Sequence, residues 1–458
     1  MDFRTFLKQL EQSGELMRIK APVKLEYEAG AICRQLSDAN GPAALLEKIE
    51  DKQWPLAVNL YGTRARIARA LGVGEREMLQ HVAKRLKSRV PTAAVNRAGR
   101  CQEVVLTGKD IDLTKLPIPL WNLGDGGRYI TAGLMIARHP EFGLNIAHHR
   151  AQIFGPTQLG VAIAPERHLH LAIQEGTAKG RRVEAAMAIG VRPSISIAAA
   201  SDFPLGDFEL EVAGALEGRP IEVVKCATVD IHVPEDTEIV LEGYFDGESR
   251  DEGPFVEFTG YQTVMRDSPV FTTTAITHRQ SPIGHGVFAG KPPCETNTLW
   301  REVEESEVFE ILRRRFPLLS GVHRPPGIGL DFVGVLQINP KRLRAGVVRT
   351  LLLATTAVMP RLKYVIAVDD DVDIYNLTDV MWAVATRCDP KADIVMVNGT
   401  ATTELDPSSG GLTGKVFFDA TKKEGFRGKL PTYPDEAMSR ARELIAAGFA
   451  EQGQFARK

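Results

Sequence analysis

The runs TEIVLEGYF (residues 237–245) and PVFTTTAITH (residues 269–278) decide the fold. Each is dense in β-branched and aromatic side chains, which suit a pleated, half-buried surface, and each is long enough for a full strand. Comparable runs stand at EVVLTG (103–108), SISIAAA (194–200) and IEVVKCATVDIHV (221–233). From about Cys101 to Asn297 the chain therefore reads as a largely antiparallel or mixed barrel with short helices inserted between strands. Between the two leading runs lies DEGPFVEFTGY (251–261), which sets Glu252 and Glu257 on either side of a Gly253-Pro254-Phe255 corner.

On the N-terminal side, residues 1–100 alternate helical segments, YEAGAICRQLSDA and EREMLQHVAKRL, with apolar runs such as PLAVNLYG, the pattern of a small α/β unit. Its first helix is amphipathic: Asp2 caps it, Phe3, Phe6, Leu7 and Leu10 share one face, and Gly14 stands past its end. On the C-terminal side, LWREVEESEVFEILRRRFP predicts one connector helix over 299–316. Residues 317–458 alternate strands (YVIAVDDDV, IVMVNGT) with helices (LTDVMWAVATR, PDEAMSRARELIAAG), a second α/β layer. The closing helix carries Pro434 in its first turn and an Ala441, Leu444, Ile445 stripe suited either to its own domain or to another subunit. The expected class is α+β, with a barrel domain over 101–298 between these flanking parts.

Composition narrows the function. The 458 residues suggest two or three globular units. Lys plus Arg number 56 against 58 for Asp plus Glu, so no global field draws the chain to nucleic acid or an anionic membrane. No run approaches the roughly 20 apolar residues of a membrane span, and the N-terminus lacks the basic start and apolar core of a secretory signal. Cys33, Cys101, Cys226, Cys294 and Cys388 show no CxxC spacing, so neither a disulfide framework nor a zinc knuckle is signalled. These features point to a cytoplasmic protein. The glycine pairs of LGVGERE (71–77) and PGIGLDFVG (326–334) lack GxGxxG spacing after a strand, and neither GxxxxGK[ST] nor GxSxG occurs. Rossmann hydride transfer and P-loop phosphoryl transfer are disfavoured.

Five spots in the barrel region hold polar residues that the local pattern does not require. GLNIAHHRAQ (143–152) carries Asn145 and Arg150, APERHLHLAIQEGTAKG (164–180) opens a helix with Pro165 near its first position and His168 in its first turn, and GDFELEVAGALEG (206–218) opens another with Glu209. Glu252 and Glu257 are the other two. Singly, each has a plain structural reading: Asn145 can satisfy a strand end, Arg150 can pair at the surface, and Glu209 can be favoured by a helix N-terminus. His168 and His170, two apart on a helix, do not share a face, and His148 and His149 in a strand point to opposite faces. Together, an amide oxygen, an imidazole and a carboxylate form a mixed hard donor set suited to Mn²⁺ or Mg²⁺. Three protein ligands leave positions open, and a phosphate at a helix N-terminus can fill one. The combination points to a metal-bridged phosphorylated cofactor.

In an unbroken strand, positions five apart face opposite ways, but the Gly-Pro break can bring Glu252 and Glu257 to one pocket. Two neighbouring carboxylates cannot both ionise cheaply, so one is expected to hold a proton near neutrality while Arg150 keeps the other charged. Such a trio can dock a carboxylate and deliver a proton. Side chains offer no sink for the electron pair of a breaking C–CO₂ bond, so an organic cofactor is required.

GDGGRYITAGLMIARHPEFGLNIAHHRAQIFG (124–155), APERHLHLA (164–172), DFELEVAGALEGRPIEVVKC (207–226) and above all EGPFVEFTGY (252–261) resemble, in order and spacing, the UbiD family of reversible decarboxylases across nearly the whole chain. The resemblance implies a prenylated-FMN enzyme with a split β-barrel cofactor domain over 101–298 and a C-terminal α/β oligomerisation domain over 317–458, assembled as a homodimer or homohexamer. It implies Asn145, His168 and Glu209 as ligands of Mn²⁺ (or Mg²⁺) bridging to the cofactor phosphate. Asn145, Ile146, Ala147, His148, His149 and Arg150, with Ala162, Ile163, Ala164 and Arg167, would line the flavin. K⁺ would sit near Ala198 to Ser201 and Glu209. Lys415 in TGKVFFDAT resembles a basic residue near the phosphate; the alternative is a solvated lysine. Arg150, Glu252 and Glu257 match the catalytic network, with Glu257 as proton donor, and a flavin prenyltransferase would supply the cofactor.

SPIGHGVFAGKPPCETN (281–297) corresponds to the segment that faces substrate in this family and offers His285, Phe288 and Asn297. His285 can bind a hydroxyl or ring heteroatom, or touch only backbone. An aromatic, heteroaromatic or α,β-unsaturated acid is the expected substrate. VDDDVD (368–373) can be a second metal site or a solvated loop. Two rival readings stay open: a flavin-dependent oxidoreductase on a similar barrel, which needs no Glu-Arg-Glu set, and a non-catalytic subunit of a multi-component carboxylase, in which those residues would be eroded.

Overall fold

Strands Ile239–Val256 and Gln262–His278 form one long antiparallel hairpin, the spine of a nine-stranded sheet. The computed structural model describes residues 1–452 apart from 166, 329–331, 340–345 and 404, and gives only the backbone course of 449–452. On one side of the hairpin follow Val183–Ile189, Leu134–His139 and Gly143–His148; on the other, Gln158–Val161, Ala151–Ile153 and Tyr129–Ile130, with Val104–Thr107 also paired to Gln262–His278. Every pairing in this sheet is antiparallel. The two terminal strands do not meet, so the sheet curls without closing. Its enclosed face is filled by Leu159, Met187, Leu241, Phe245 and Phe271, all at or below 1% exposure.

The run SISIAAA, expected as a strand, is instead the helix Pro193–Ala198, buried on every side. Proline at the first helical position fixes the required φ, and all-round burial suits an apolar helix as well as a strand, so Ser/Ile alternation misled. The predicted connector over 299–316 forms as the single helix Glu302–Arg315, starting three residues late. A shorter helix, Glu295–Leu299, stops at Trp300 ahead of it. Glu302, Glu304 and Glu305 occupy the first turn of the connector and Arg313 to Arg315 its last, the charge order that complements a helix dipole.

The first helix, Phe3–Gln12, forms as expected: Asp2 accepts a hydrogen bond from Thr5 N at 2.7 Å, and Phe3, Phe6, Leu7 and Leu10 are buried. It covers a four-stranded sheet of Leu16–Ile19, Ala43–Leu46, Leu56–Val58 and Gly284–Gly286, so the N-terminal sheet borrows its last strand from far along the chain. Buried Glu295 ties the same regions together by accepting from the backbone N–H groups of Asn59, Tyr61 and Phe288.

A five-stranded sheet follows, in the order Leu319–His323, Val333–Ile338, Tyr364–Asp369, Leu412–Ala420, Ile394–Ala401, with parallel central pairs and antiparallel edges. Residues Met1–Thr421 make one compact unit and Lys422–Lys458 another, the latter containing the helix Asp435–Gln452. Pro434 stands just ahead of that helix and not within it, its carbonyl accepting from Met438 N. Among the described residues no helix is long and apolar enough to cross a membrane.

Candidate active site

The corner between Glu252 and Glu257 is built from backbone irregularity. Pairing of the hairpin strands shifts register on both sides of Glu252, and Glu257 N donates to Tyr261 O at 2.9 Å to close the turn. These shifts break the strict alternation that would hold the two acids on opposite faces. Gly253 has φ +119°, a value L side chains rarely adopt. Four bonds then fix the corner: Gly126 N donates to Pro254 O (2.7 Å), Gly253 N to Gln152 Oε1 (2.9 Å), Val256 N to Asp125 Oδ1 (3.1 Å) and Tyr129 Oη to Pro254 O (3.3 Å). A Cβ at Gly126 would collide with the carbonyl of Gly253, which accounts for the first glycine of GGRY.

Arg150 stands between the acids. Its Nε and Nη2 donate to the two oxygens of Glu252 at 2.8 Å each, and its Nη1 pairs with Glu257 Oε1. The guanidinium carbon also lies 4.8 Å from the Phe255 ring centroid, and that ring packs on Tyr129. Glu252 is fully buried and Glu257 is 9% exposed. Each carboxylate therefore meets a guanidinium edge before it meets the other acid, which offsets both burial and like-charge repulsion. Glu257 also accepts from Thr263 Oγ1 at 3.4 Å.

A second cluster joins three other segments. Glu209 is the first residue of the helix Glu209–Glu217 and is 2% exposed. It accepts from Asn145 Nδ2 at 2.7 Å and from Ile146 N at 2.9 Å. Burial pushes its pKa up to about 7 against those bonds. Asn145 Nδ2 is also 3.4 Å from Nδ1 of His168, the first residue of the helix His168–Ala178. That helix starts three residues later than Pro165, which precedes it. Burial, then the charge of Arg167, lowers the His168 pKa, which favours the neutral imidazole that binds metals. A buried carboxylate without a cationic partner among the described residues, a neutral imidazole and an amide in one cluster fit a divalent cation of the Mn²⁺ or Mg²⁺ kind. Asn145 and His168 also line one cavity, with Phe142, Leu205 and Asp207.

The remaining expected residues are placed as follows. Ala147 pairs with Met135 in the sheet. His148 Nε2 donates to Ser196 O (3.0 Å) and His149 Nδ1 bonds to Ala162 O (3.2 Å); burial lowers their pKa values to about 4 and about 3, so both rings are neutral. Ala162 N donates to Arg150 O, Ile163 is buried, and Ala164 O accepts from Arg167 N. Residues 198–201 leave the helix Pro193–Ala198 with the Ala198 carbonyl bonded to Ser201 N and that of Ala199 to His148 N. Lys415 is not a solvated lysine: it is 4% exposed and donates to the carbonyls of Pro360 and Leu362. Of the substrate candidates, Asn297 Nδ2 donates to Phe258 O beside Glu257 at 3.3 Å, Phe288 packs on Trp121, and His285 lies buried between Phe3 and Tyr61. In the acidic run 368–373, Arg387 pairs with both Asp369 and Asp371, while Asp370 and Asp371 stand exposed in the turn that follows the strand Tyr364–Asp369.

Asp125, Tyr129 and Gln152, which hold the corner, escaped sequence reading, although the GGRY glycines were a usable sign of close backbone approach. So did Arg361, whose Nη2 reaches Asp202 Oδ2 at 2.9 Å where Arg167 also pairs.

Comparison with known proteins shows the family. Models of the 3-octaprenyl-4-hydroxybenzoate carboxy-lyase N-terminal, Rift-related and C-terminal domains match residues 7–86, 93–292 and 297–420. The UbiD-class enzyme HmfF from Pelotomaculum thermopropionicum, solved in complex with FMN, is 33% identical, with a TM-score of 0.90 over 96% of this chain and 99% of that one. Vanillic acid decarboxylase of Sedimentibacter hydroxybenzoicus is 29% identical (TM-score 0.84, covering 97% of this chain and 98% of that one). The 3,4-dihydroxybenzoic acid decarboxylase of Enterobacter cloacae is 26% identical (TM-score 0.89, covering 97% and 99%). The chain belongs to the UbiD family of carboxy-lyases.

Proposed function

We propose that the protein is a prenylated-FMN-dependent, reversible, non-oxidative decarboxylase of an aromatic, heteroaromatic or α,β-unsaturated carboxylic acid, with Glu257 as proton donor. The observation that carries this reading is Arg150 set between a fully buried Glu252 and a nearly buried Glu257. When bound, prenylated FMN supplies the electron sink that no side chain offers. The chain's residues do the rest. Arg150 orients both acids; Glu252, gripped on two oxygens, fixes the guanidinium; Glu257, held on one side only, is the acid with freedom to give up and regain a proton at the carbon that loses CO₂. Asn297 supports the 257–261 turn next to the substrate.

Asn145, His168 and Glu209 would hold Mn²⁺ or Mg²⁺, with Ala198 to Ser201 as the candidate K⁺ position. Arg167, at the N-terminus of the helix His168–Ala178, and Arg361 would meet the cofactor's phosphate. A flavin prenyltransferase would supply the cofactor, the C-terminal α/β part would serve assembly as a homodimer or homohexamer, and the cytoplasm is the expected compartment.

The test is to co-express the chain with a flavin prenyltransferase, weigh the released cofactor and screen aromatic, heteroaromatic and α,β-unsaturated acids for CO₂ release. Prenylated FMN with CO₂ release from any member supports the reading. Unmodified FMN with NAD(P)H oxidation would favour an oxidoreductase, and a chain that binds neither would favour a non-catalytic subunit.

A further inference from the structure

The loop after the helix Pro193–Ala198 carries one acid, Asp202, that two arginines from distant parts of the chain reach at once. Arg167 pairs with Asp202 Oδ1 through Nη1, and Arg361 donates to Asp202 Oδ2 from Nη2 at 2.9 Å. Arg361 is itself held in place, because buried Lys415 bonds the carbonyls on both sides of it. Arg167 precedes an eleven-residue helix whose first residue is His168. Asp202, by contrast, sits on an exposed loop with its side chain 46% exposed. The fold thus sets the two arginines, and the acid is the member that can leave.

Two guanidiniums converging on one pair of oxygens beside a helix N-terminus make a geometry suited to a phosphate, and the carboxylate of Asp202 now fills it. Half-exposed ion pairs contribute little net stability, so exchanging this carboxylate for a phosphate is cheap. A carboxylate left near a bound phosphate nevertheless repels it.

Resting on the flavin reading above, we propose that Asp202 is a resident counter-anion of the cofactor's phosphate seat: it neutralises Arg167 and Arg361 in the empty chain and must be displaced when the phosphate binds. Removing its charge will tighten binding of a flavin that carries phosphate and leave a flavin without phosphate unaffected.

The experiment titrates the full chain, wild type, Asp202→Asn and Asp202→Ser, with FMN and with riboflavin in the presence of Mn²⁺, following quenching of flavin fluorescence. Both variants are expected to bind FMN about tenfold more tightly, which corresponds to ~1.4 kcal/mol, with riboflavin affinity unchanged and the FMN difference shrinking at high salt. If wild type binds FMN and the variants bind it no more tightly, or more weakly, the counter-anion role is overturned while the flavin reading stands. If wild type fails to quench FMN at all, both are overturned.

Discussion

Arg150 donates two parallel hydrogen bonds of 2.8 Å to the fully buried Glu252 and turns its remaining nitrogen to Glu257. The arginine is shared unequally: one acid is locked by two bonds, the other is touched at one oxygen. That inequality separates a fixed carboxylate from one able to exchange a proton.

Replacing the guanidinium tests the sharing. A lysine at this position can pair with one acid but cannot fork to Glu252 and reach Glu257 together. Arg150→Lys should reduce turnover by about a hundredfold and, because Glu252 stays buried with poorer pairing, cost ~1–3 kcal/mol in denaturant unfolding. Wild-type turnover in this variant would show that the bridge is dispensable.

Among the described residues Glu209 has no cationic partner; it accepts from the Asn145 amide and the Ile146 backbone N–H. Glu209→Gln keeps the shape and removes the charge a divalent cation would neutralise. Mn²⁺ affinity, measured by calorimetry, should fall about 10- to 100-fold or more, with the thermal midpoint unchanged or raised in metal-free buffer because a buried charge has gone. Equal Mn²⁺ affinity would place the metal elsewhere.

The buried imidazoles make the fold acid-sensitive. His148, His149 and His285 have folded pKa values of about 4, about 3 and about 3, each lowered chiefly by burial from an ordinary value near 6.5. The folded state binds fewer protons than the unfolded one, so their contribution is complete above pH 6.5 and lost as pH falls toward 4, by about 1.4 kcal/mol per pH unit for each ring. Both nitrogens of His285 lack a partner among the described residues, and its ring sits between Phe3 and Tyr61. His285→Phe should therefore flatten the pH dependence of unfolding below 6.5 at no cost at pH 8. An unchanged slope would mean that the ring is hydrated or already paired.

The first helix is a packing test. Leu10 is fully buried at its inner face. Leu10→Ala should cost ~2–5 kcal/mol in urea unfolding, and a cost below 1 kcal/mol would show that this helix is loosely docked.

What the sequence made legible tracks how local the cause is. Asp2, Phe3, Phe6, Leu7 and Leu10 lie within one helix, so cap and apolar face could be read directly and stand as expected. The hairpin strands were legible because β-branched density and alternation are short-range features. The run 194–200 was misread because complete burial erases the difference between helix and strand patterns. Arg150 drew attention as a polar residue that its strand-like stretch did not require, and Glu252 and Glu257 as two acids flanking a Gly-Pro-Phe corner. Gln152 bonds a residue 101 positions away and Arg361 one 159 positions away, so nothing near either residue announced its role. Lys415 was visible as a lysine, but its two carbonyl partners lie more than 50 positions earlier.

The most direct test uses Glu257→Gln, which keeps the side chain's shape and removes the exchangeable acid. With the best acid of the substrate screen, and its decarboxylated product incubated in D₂O, hydrogen exchange at the carbon that bore CO₂ is followed by NMR alongside the mass and stoichiometry of the bound cofactor. The account predicts full cofactor loading with exchange and CO₂ release at least a thousandfold slower than wild type. Exchange at the wild-type rate in the loaded variant would contradict it.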